Sequence, residues 1–232
     1  MSATQLTQYA QLSHTDNHIH IALRKTHQVI SSAVLNGGMS YADHILNIKV
    51  ASNSTCTAAA DESLLKYSQK LNLNGAVVGM MTAASMKSFR LEQATVQGID
   101  IVVLVTSGLS NPRHVGDHAE HREMTTSTTD VGTINTIVLT SASFTEAALV
   151  EALMIATEAK TAALIDAEVL SPISQQFATG TGTDAIAIVN GHGPETVHFC
   201  GKHVLFGEVL GRLVKDAISA SISWYFDNKK VC

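Results

Sequence analysis

The run Ala178-Thr179-Gly180-Thr181-Gly182-Thr183-Asp184 carries the densest set of groups able to do chemistry in this sequence. Thr179, Thr181 and Thr183 alternate with Gly180 and Gly182, and Asp184 closes the run before the apolar segment Ala185-Ile186-Ala187-Ile188-Val189. Glycine admits φ > 0 and lets backbone approach a ligand closely. Hydroxyls beside exposed peptide N–H groups form a concavity suited to an oxyanion or a phosphate. Asp184, at the mouth of a buried strand, has three roles open to it: base, ligand-orienting group or turn cap. The run lacks both the Walker lysine and the dinucleotide fingerprint, so no nucleotide site follows from it. Its plainer reading is a glycine-rich turn feeding a core strand.

Other groups with chemical potential lie on both sides of this run. Glu158 and Lys160 stand two apart on an alanine-rich helical segment, so they point away from each other and form no i,i+4 pair. Set among alanines, Glu158 is open to partial burial, which raises a carboxyl pKa. His203 opens the last helix, where the positive end of the helix dipole favours a neutral imidazole able to act as base or donor. His114, His118 and His121 would share one face of a helix and hold a transition metal, but Gly116 and the Thr/Ser tract 125–129 weaken a helix there. The alternative is a His-rich surface loop. His18 and His20 share a strand face without a third ligand.

These groups need elements to place them. Alternation predicts a strand over His18–Leu23, then strands over Val29–Leu35, Ile45–Val50, Ala76–Met81, Phe89–Val96, Ile99–Thr106 and 132–139. Ile99–Thr106 is continuous and β-branched, as in a strand buried on both faces. Asn36-Gly37-Gly38 predicts a turn with left-handed backbone. Asp61–Leu71 predicts a helix ending near Asn74-Gly75. Ser143-Phe144-Thr145-Glu146 reads as a capping box opening a long helix to about Asp166. Its Ala148, Leu149, Ala152, Leu153, Ala156 and Ala163 make a narrow face of small residues. Glu195–Cys200 reads as a hairpin partner of the 185–189 strand, and a last helix runs over about 203–223 with a peripheral tail beyond. Strands outnumber helices without alternating with them. That predicts one mixed α+β domain over 1–232, a sheet packed with a few helices.

Composition excludes several function classes. A net charge of −5 over 232 residues lacks the basic face of general nucleic-acid binding. No apolar run approaches the ~18–20 residues that span a bilayer. The first eleven residues lack the basic-then-apolar order of a signal peptide. Cys56, Cys200 and Cys232 are odd in number and widely spaced, as free thiols in a reducing compartment are. A cytoplasmic location is the expectation.

Several blocks together resemble the adenosylcobinamide amidohydrolase (CbiZ) family. They are Ser31–Gly38 (SSAVLNGG), Val78–Ala84 (VGMMTAA), Val105–Pro112 (VTSGLSNP), Gly132–Asn135 (GTIN), Ala156–Lys160 (ATEAK), the TGTGTD run, and Gly201-Lys202-His203 with Gly207-Glu208 and Gly211. Each is weak alone; their common order over about residues 30–215 is what makes the resemblance specific. The resemblance implies hydrolysis of the amide joining the aminopropanol arm to the corrin ring of adenosylcobinamide. The products are adenosylcobyric acid and aminopropanol, in corrinoid salvage. Cobalt then belongs to the substrate, with no protein metal site and no cofactor, and the histidine trio is outside the family blocks.

Amide hydrolysis needs a nucleophile, stabilisation of the tetrahedral oxyanion and an acid for the leaving amine. One scheme uses water with Glu158 or Asp184 as base, the N–H groups of Gly180–Thr183 as oxyanion donors, and Lys160 or His203 as acid or positive charge. Its rival uses Thr181 or Thr183 as nucleophile; Cys56 and Cys200 lie outside the family blocks. Asn36, Gly37, Asn111 and Asn135, with Thr179, Gly180, Thr181, Gly182 and Thr183, suit the amide-rich rim of a corrin. Three other readings stay open: a non-catalytic corrinoid binder, a metal-dependent hydrolase using the histidines, and an amidohydrolase of another amide. The small-residue helix faces would suit a homo-oligomer.

Overall fold

The computed structural model describes residues 3–50, 59–119 and 132–229. In chain order these form β1 (Thr4–Thr7), β2 (Ala10–His14), β3 (His18–Ser31), β4 (Gly38–Lys49), α1 (Ala60–Lys70), β5 (Val77–Thr82), β6 (Arg90–Val96), β7 (Ile99–Ser107) and β8 (Pro112–Arg113). The second half adds β9 (Ile134–Thr140), β10 (Ser143–Phe144), α2 (Glu146–Asp166), β11 (Gly180–Thr181), β12 (Ala185–Val189), β13 (Thr196–Val197) and α3 (Leu205–Lys229). The class is α+β, as the sequence implies.

One mixed sheet of nine strands organises the chain, in the order β1-β2-β3-β12-β9-β7-β6, with β4 and β5 branching from β3. The branch exists because β3 is a single long strand that serves two neighbours along one edge. Its first half pairs with β2 and its last three residues, Val29–Ser31, pair with β12. β4 follows its other edge, with a break in register between Ala22 and His27. The two strands expected over His18–Leu23 and Val29–Leu35 are therefore one, because the β4 ladder resumes across the irregularity.

The sheet curls until its two arms touch. Asn47 of β4 donates to Thr106 of β7 at 2.9 Å, and Asn135 of β9 donates to Asn47 at 2.8 Å and to the Met81 carbonyl at 2.9 Å. Inside the curl lie Ile19, Ile21, Ile45, Met80, Leu104, Ile137 and Leu139, all essentially inaccessible. The opposite face of β7, β9 and β12 presents Val103, Val105, Val138, Ile186 and Ile188 to α2 and α3. Alternate residues thus serve two cores, which is why Ile101–Val105 reads as an unbroken apolar run. Burying each large aliphatic side chain contributes roughly 1.5–3 kcal/mol.

The small face of α2 is consumed within the chain: Ala148, Ala152, Ala156, Ala159 and Ala163 are buried against the sheet and α3. The cap of α2 departs from expectation. Thr145, not Ser143, is the N-cap, its Oγ1 accepting from Ala148 N at 3.2 Å. Ser143 is held extended, its N–H donating to Glu195 O at 2.9 Å. That contact belongs to the parallel pairing of β10 with β13, so Glu195–Cys200 is not a hairpin partner of β12. The C-terminal helix continues through Trp224 to Lys229, beyond the expected end near 223, with Tyr225 packed against the same core as Ile218 and Ile222.

Candidate active site

Three strand ends meet at one end of the sheet. β12 and β9 are parallel and start in register, Ala185 opposite Asn135, so the residues just before each strand lie side by side. β7 is antiparallel to β9, which brings its exit, Ser107 to Pro112, to the same place. There β11 pairs with β8, Gly180 opposite Arg113 and Thr181 opposite Pro112, and clasps the threonine–glycine run against the β7 exit.

Asp184 is the centre of this junction. Its Oδ2 accepts from Lys160 Nζ at 2.5 Å and from Thr181 N at 3.0 Å; its Oδ1 accepts from Ile134 N at 2.9 Å and Thr181 Oγ1 at 2.6 Å. Lys160 reaches it from the buried face of α2, and only 10% of the lysine side chain and 8% of the aspartate side chain are exposed. A buried ion pair persists when geometry is good and the remaining valences are satisfied, and here the carboxylate has a donor at each lone-pair direction.

The glycines make this contact sterically possible. A methyl group on Gly180 would come within 2.6 Å of Asp184 Oδ2 and 3.0 Å of Lys160 Nζ. One on Gly182 would lie 2.8 Å from Asn111 Nδ2. Neither glycine has positive φ, so what each supplies is space rather than unusual backbone. The anion that the run receives is the chain's own Asp184: Thr181 N is committed to it, and Gly182 N donates to Asn111 O at 3.3 Å.

A line of hydroxyls surrounds the carboxylate. Thr181 Oγ1 lies 2.6 Å from Asp184 Oδ1 and 2.6 Å from Gly132 O. Thr183 Oγ1 contacts Gly132 O at 3.1 Å and Thr133 Oγ1 at 2.7 Å. Thr161 Oγ1, one residue beyond Lys160, donates to Thr179 O at 3.1 Å and ties α2 to the run. Thr133 and the Ile134 N–H escaped the sequence reading as site groups. The signal that finds them is positional, since Gly132-Thr133 precedes β9 as Thr183-Asp184 precedes β12.

The remaining candidates separate into distinct places. Glu158 leaves α2 on the side opposite Lys160 and pairs with Lys202, both largely exposed. That pair borders a cleft of about 280 Å³ between α2 and α3, with Gly207, Glu208, Gly211 and Arg212. His203 is exposed in the turn before α3, its ring over Gly201. Asn36 and Gly37 sit in the β3–β4 turn, where Asn36 has φ 54° and Gly38 φ 83°. This is the left-handed geometry expected, and Asn36 Nδ2 donates to Val77 O at 2.8 Å. Asn135 is 1% exposed within the curl and does not reach a rim. Asn111 lies in the junction itself, its Oδ1 buried and without a hydrogen-bond partner among the described residues.

The histidine trio does not form the imagined helical face in its described part. Pro112–Arg113 is β8 and residues 114–117 form a turn, with His114 Nδ1 2.8 Å from Phe177 O. His121 lies outside the described residues, as do Cys56 and Cys232. Among the described residues no group of three or more His, Cys, Asp or Glu is placed to hold a metal. Cys200 is buried, and burial reinforced by the Glu151 carboxylate pushes its thiol up to about 12, which disfavours the thiolate. No helix among the described residues is long and apolar enough to cross a membrane.

The model of the family described as adenosylcobinamide amidohydrolase (CbiZ) matches residues 2–229. The chain belongs to this family. An adenosylcobinamide amidohydrolase of Methanosarcina mazei is 26% identical over 200 residues, covering 82% of this chain and 88% of that protein. The uncharacterized protein MJ1613 of Methanocaldococcus jannaschii is 38% identical over 90 residues, 38% of this chain and 35% of that protein, so the chain matches about a third of that relative's length. Among solved structures, the PH0078 protein from Pyrococcus horikoshii aligns over 92% of this chain and 78% of its own, at TM-score 0.44 and 11% identity. Three of the CbiZ-like blocks meet at Asp184, namely Gly132–Asn135 through Ile134 N, Ala156–Lys160 through Lys160, and the TGTGTD run through Thr181, while Val105–Pro112 borders the junction through Asn111 beside Gly182.

Proposed function

We propose that this CbiZ-family protein hydrolyses the amide between the aminopropanol arm and the corrin ring of adenosylcobinamide, releasing aminopropanol and adenosylcobyric acid. The observation that carries the reading is the meeting of three separate family blocks at one buried carboxylate. Asp184, held in place by Lys160, receives the proton of the attacking oxygen and returns it to the leaving amine. Lys160 is a positioning residue that pairs with the carboxylate and orients it. Asn111, whose amide lies over Gly182, donates to the substrate carbonyl, and the Thr179–Thr183 run forms the floor on which the amide rests. Glu158 and His203 stand outside this group. Cobalt enters as part of the substrate, and the reaction takes place in the cytoplasm, where Cys200 stays reduced.

The test is a mass-spectrometric assay of adenosylcobinamide with purified, chelator-treated protein. Equimolar adenosylcobyric acid and aminopropanol are the expected products. A shift in the corrinoid spectrum without product would replace the enzyme by a binder. Neither product nor spectral shift would refute the substrate.

A further inference from the structure

We propose that Thr181 is the nucleophile and that the reaction passes through an ester between Thr181 Oγ1 and the corrin side-chain acyl group. This rests on the amidohydrolase reading above. Asp184 is enclosed by donors of the protein itself. Its four hydrogen-bond donors are Lys160 Nζ, the peptide N–H groups of Thr181 and Ile134, and the Thr181 hydroxyl. A water acting as nucleophile would have to displace one of them to hand its proton to the carboxylate. The peptide N–H groups do not ionise, and Lys160 supplies the fixed positive charge. The Thr181 hydroxyl alone becomes a nucleophile by giving its proton to Asp184, across a contact of 2.6 Å.

Thr183 does not share this position. Its hydroxyl contacts Thr133 Oγ1 and Gly132 O and has no carboxylate partner. Thr181 is partly exposed and stands next to the exposed Gly182. Gly132 O, 2.6 Å from Thr181 Oγ1, is a second acceptor for the single hydroxyl proton, which it shares with Asp184 Oδ1. Asn111 Nδ2 beside Gly182 is the donor for the carbonyl oxygen as it becomes an oxyanion.

The steps balance. Thr181 Oγ1 adds to the amide carbon while its proton passes to Asp184 Oδ1. The tetrahedral adduct then collapses, the C–N bond breaks, and the proton on Asp184 goes to the nitrogen of departing aminopropanol. Water adds to the Thr181 ester, its proton passing to Asp184. The C–Oγ1 bond breaks, and the proton returns to Thr181 as the corrinoid leaves as a carboxylic acid. One water is consumed and no co-reactant is needed.

The experiment measures aminopropanol release by the wild type and by Thr181→Val, which keeps side-chain volume, and Thr181→Ser, which keeps the hydroxyl. Acid-quenched wild type, sampled through the first turnover, is digested and weighed. Thr181→Val is expected to lose about 10³-fold or more in turnover while remaining folded and keeping its corrinoid spectral titration. Thr181→Ser retains turnover to within about tenfold, and the quenched peptide containing residue 181 carries the added mass of the acyl group. Near-normal turnover by Thr181→Val overturns the proposal and leaves the amidohydrolase reading standing. So does a quenched peptide that never carries the acyl mass. A wild type that releases no aminopropanol removes both.

Discussion

Helix α2 offers two lysine–carboxylate pairs that differ almost only in surroundings. On one side Lys160 meets Asp184 with about a tenth of either side chain exposed; on the other, Glu158 meets Lys202 with 48% and 73% exposed. The exposed pair is screened by water and is worth at most about 1 kcal/mol. The buried pair sits where charges interact strongly, and where leaving either one alone is expensive. Sequence distance hides this contrast, since Glu158 and Lys160 are two residues apart. Helical geometry separates them, turning one into the cleft beside α3 and the other into the strand-end junction. Family resemblance marks both residues as one block, but the surroundings assign them different work.

Perturbing the buried side gives the largest effects. Asp184→Asn removes the proton acceptor while keeping volume, and turnover should fall about 10²–10⁴-fold in the aminopropanol-release assay. Lys160→Met leaves Asp184 as an uncompensated buried charge, and urea unfolding should show a loss of roughly 3–5 kcal/mol along with lost turnover. A loss below 1 kcal/mol would mean that the two pairs are equivalent. Glu158→Gln on the exposed side should change stability by less than about 1 kcal/mol and turnover by no more than a few-fold. A Glu158→Gln protein as inactive as Asp184→Asn would move the chemistry to the α2–α3 cleft.

A separate effect lies far from both pairs and shows what burial does to a titrating group. His20 Nε2 lies 3.1 Å from His44 Nδ1. Burial, reinforced by His44 and His18, lowers the His20 pKa from its ordinary 6.5 to about 4. The unfolded chain therefore binds more protons than the folded one between these values. Stability contributed by neutral His20 is complete above pH 6.5 and is lost as pH falls toward 4. Urea midpoints measured from pH 7 down to pH 4 should show that decline, and His20→Gln should flatten it.

Much of this was legible in the residues. The continuous apolar run of β7 announced burial on both faces, and Asn36-Gly37-Gly38 announced a left-handed turn. Alanines at helical spacing announced the packed side of α2. What misled were signals with two local solutions. Ser143 and Thr145 both suit a helix cap, and the pairing of β10 with β13 decided between them. A helical face of histidines was consistent with residue spacing, but strand β8 and the turn after it occupy its described part.

By itself the sequence determined the class of elements, the family blocks and the inventory of groups around Asp184, because periodicity and residue chemistry act over a few neighbouring positions. Only the tertiary structure decided which of those groups meet. The parallel, in-register start of β9 and β12 puts Gly132, Thr133 and Ile134 beside Thr183 and Asp184 across some fifty residues of chain. The curl of the sheet withdraws Asn135 into the interior, to bond Asn47 and the Met81 carbonyl. Packing of α2 on that sheet sends Lys160 inward and leaves Glu158 to solvent. Such meetings depend on long-range pairing and on which helix face is buried, and no local pattern encodes either.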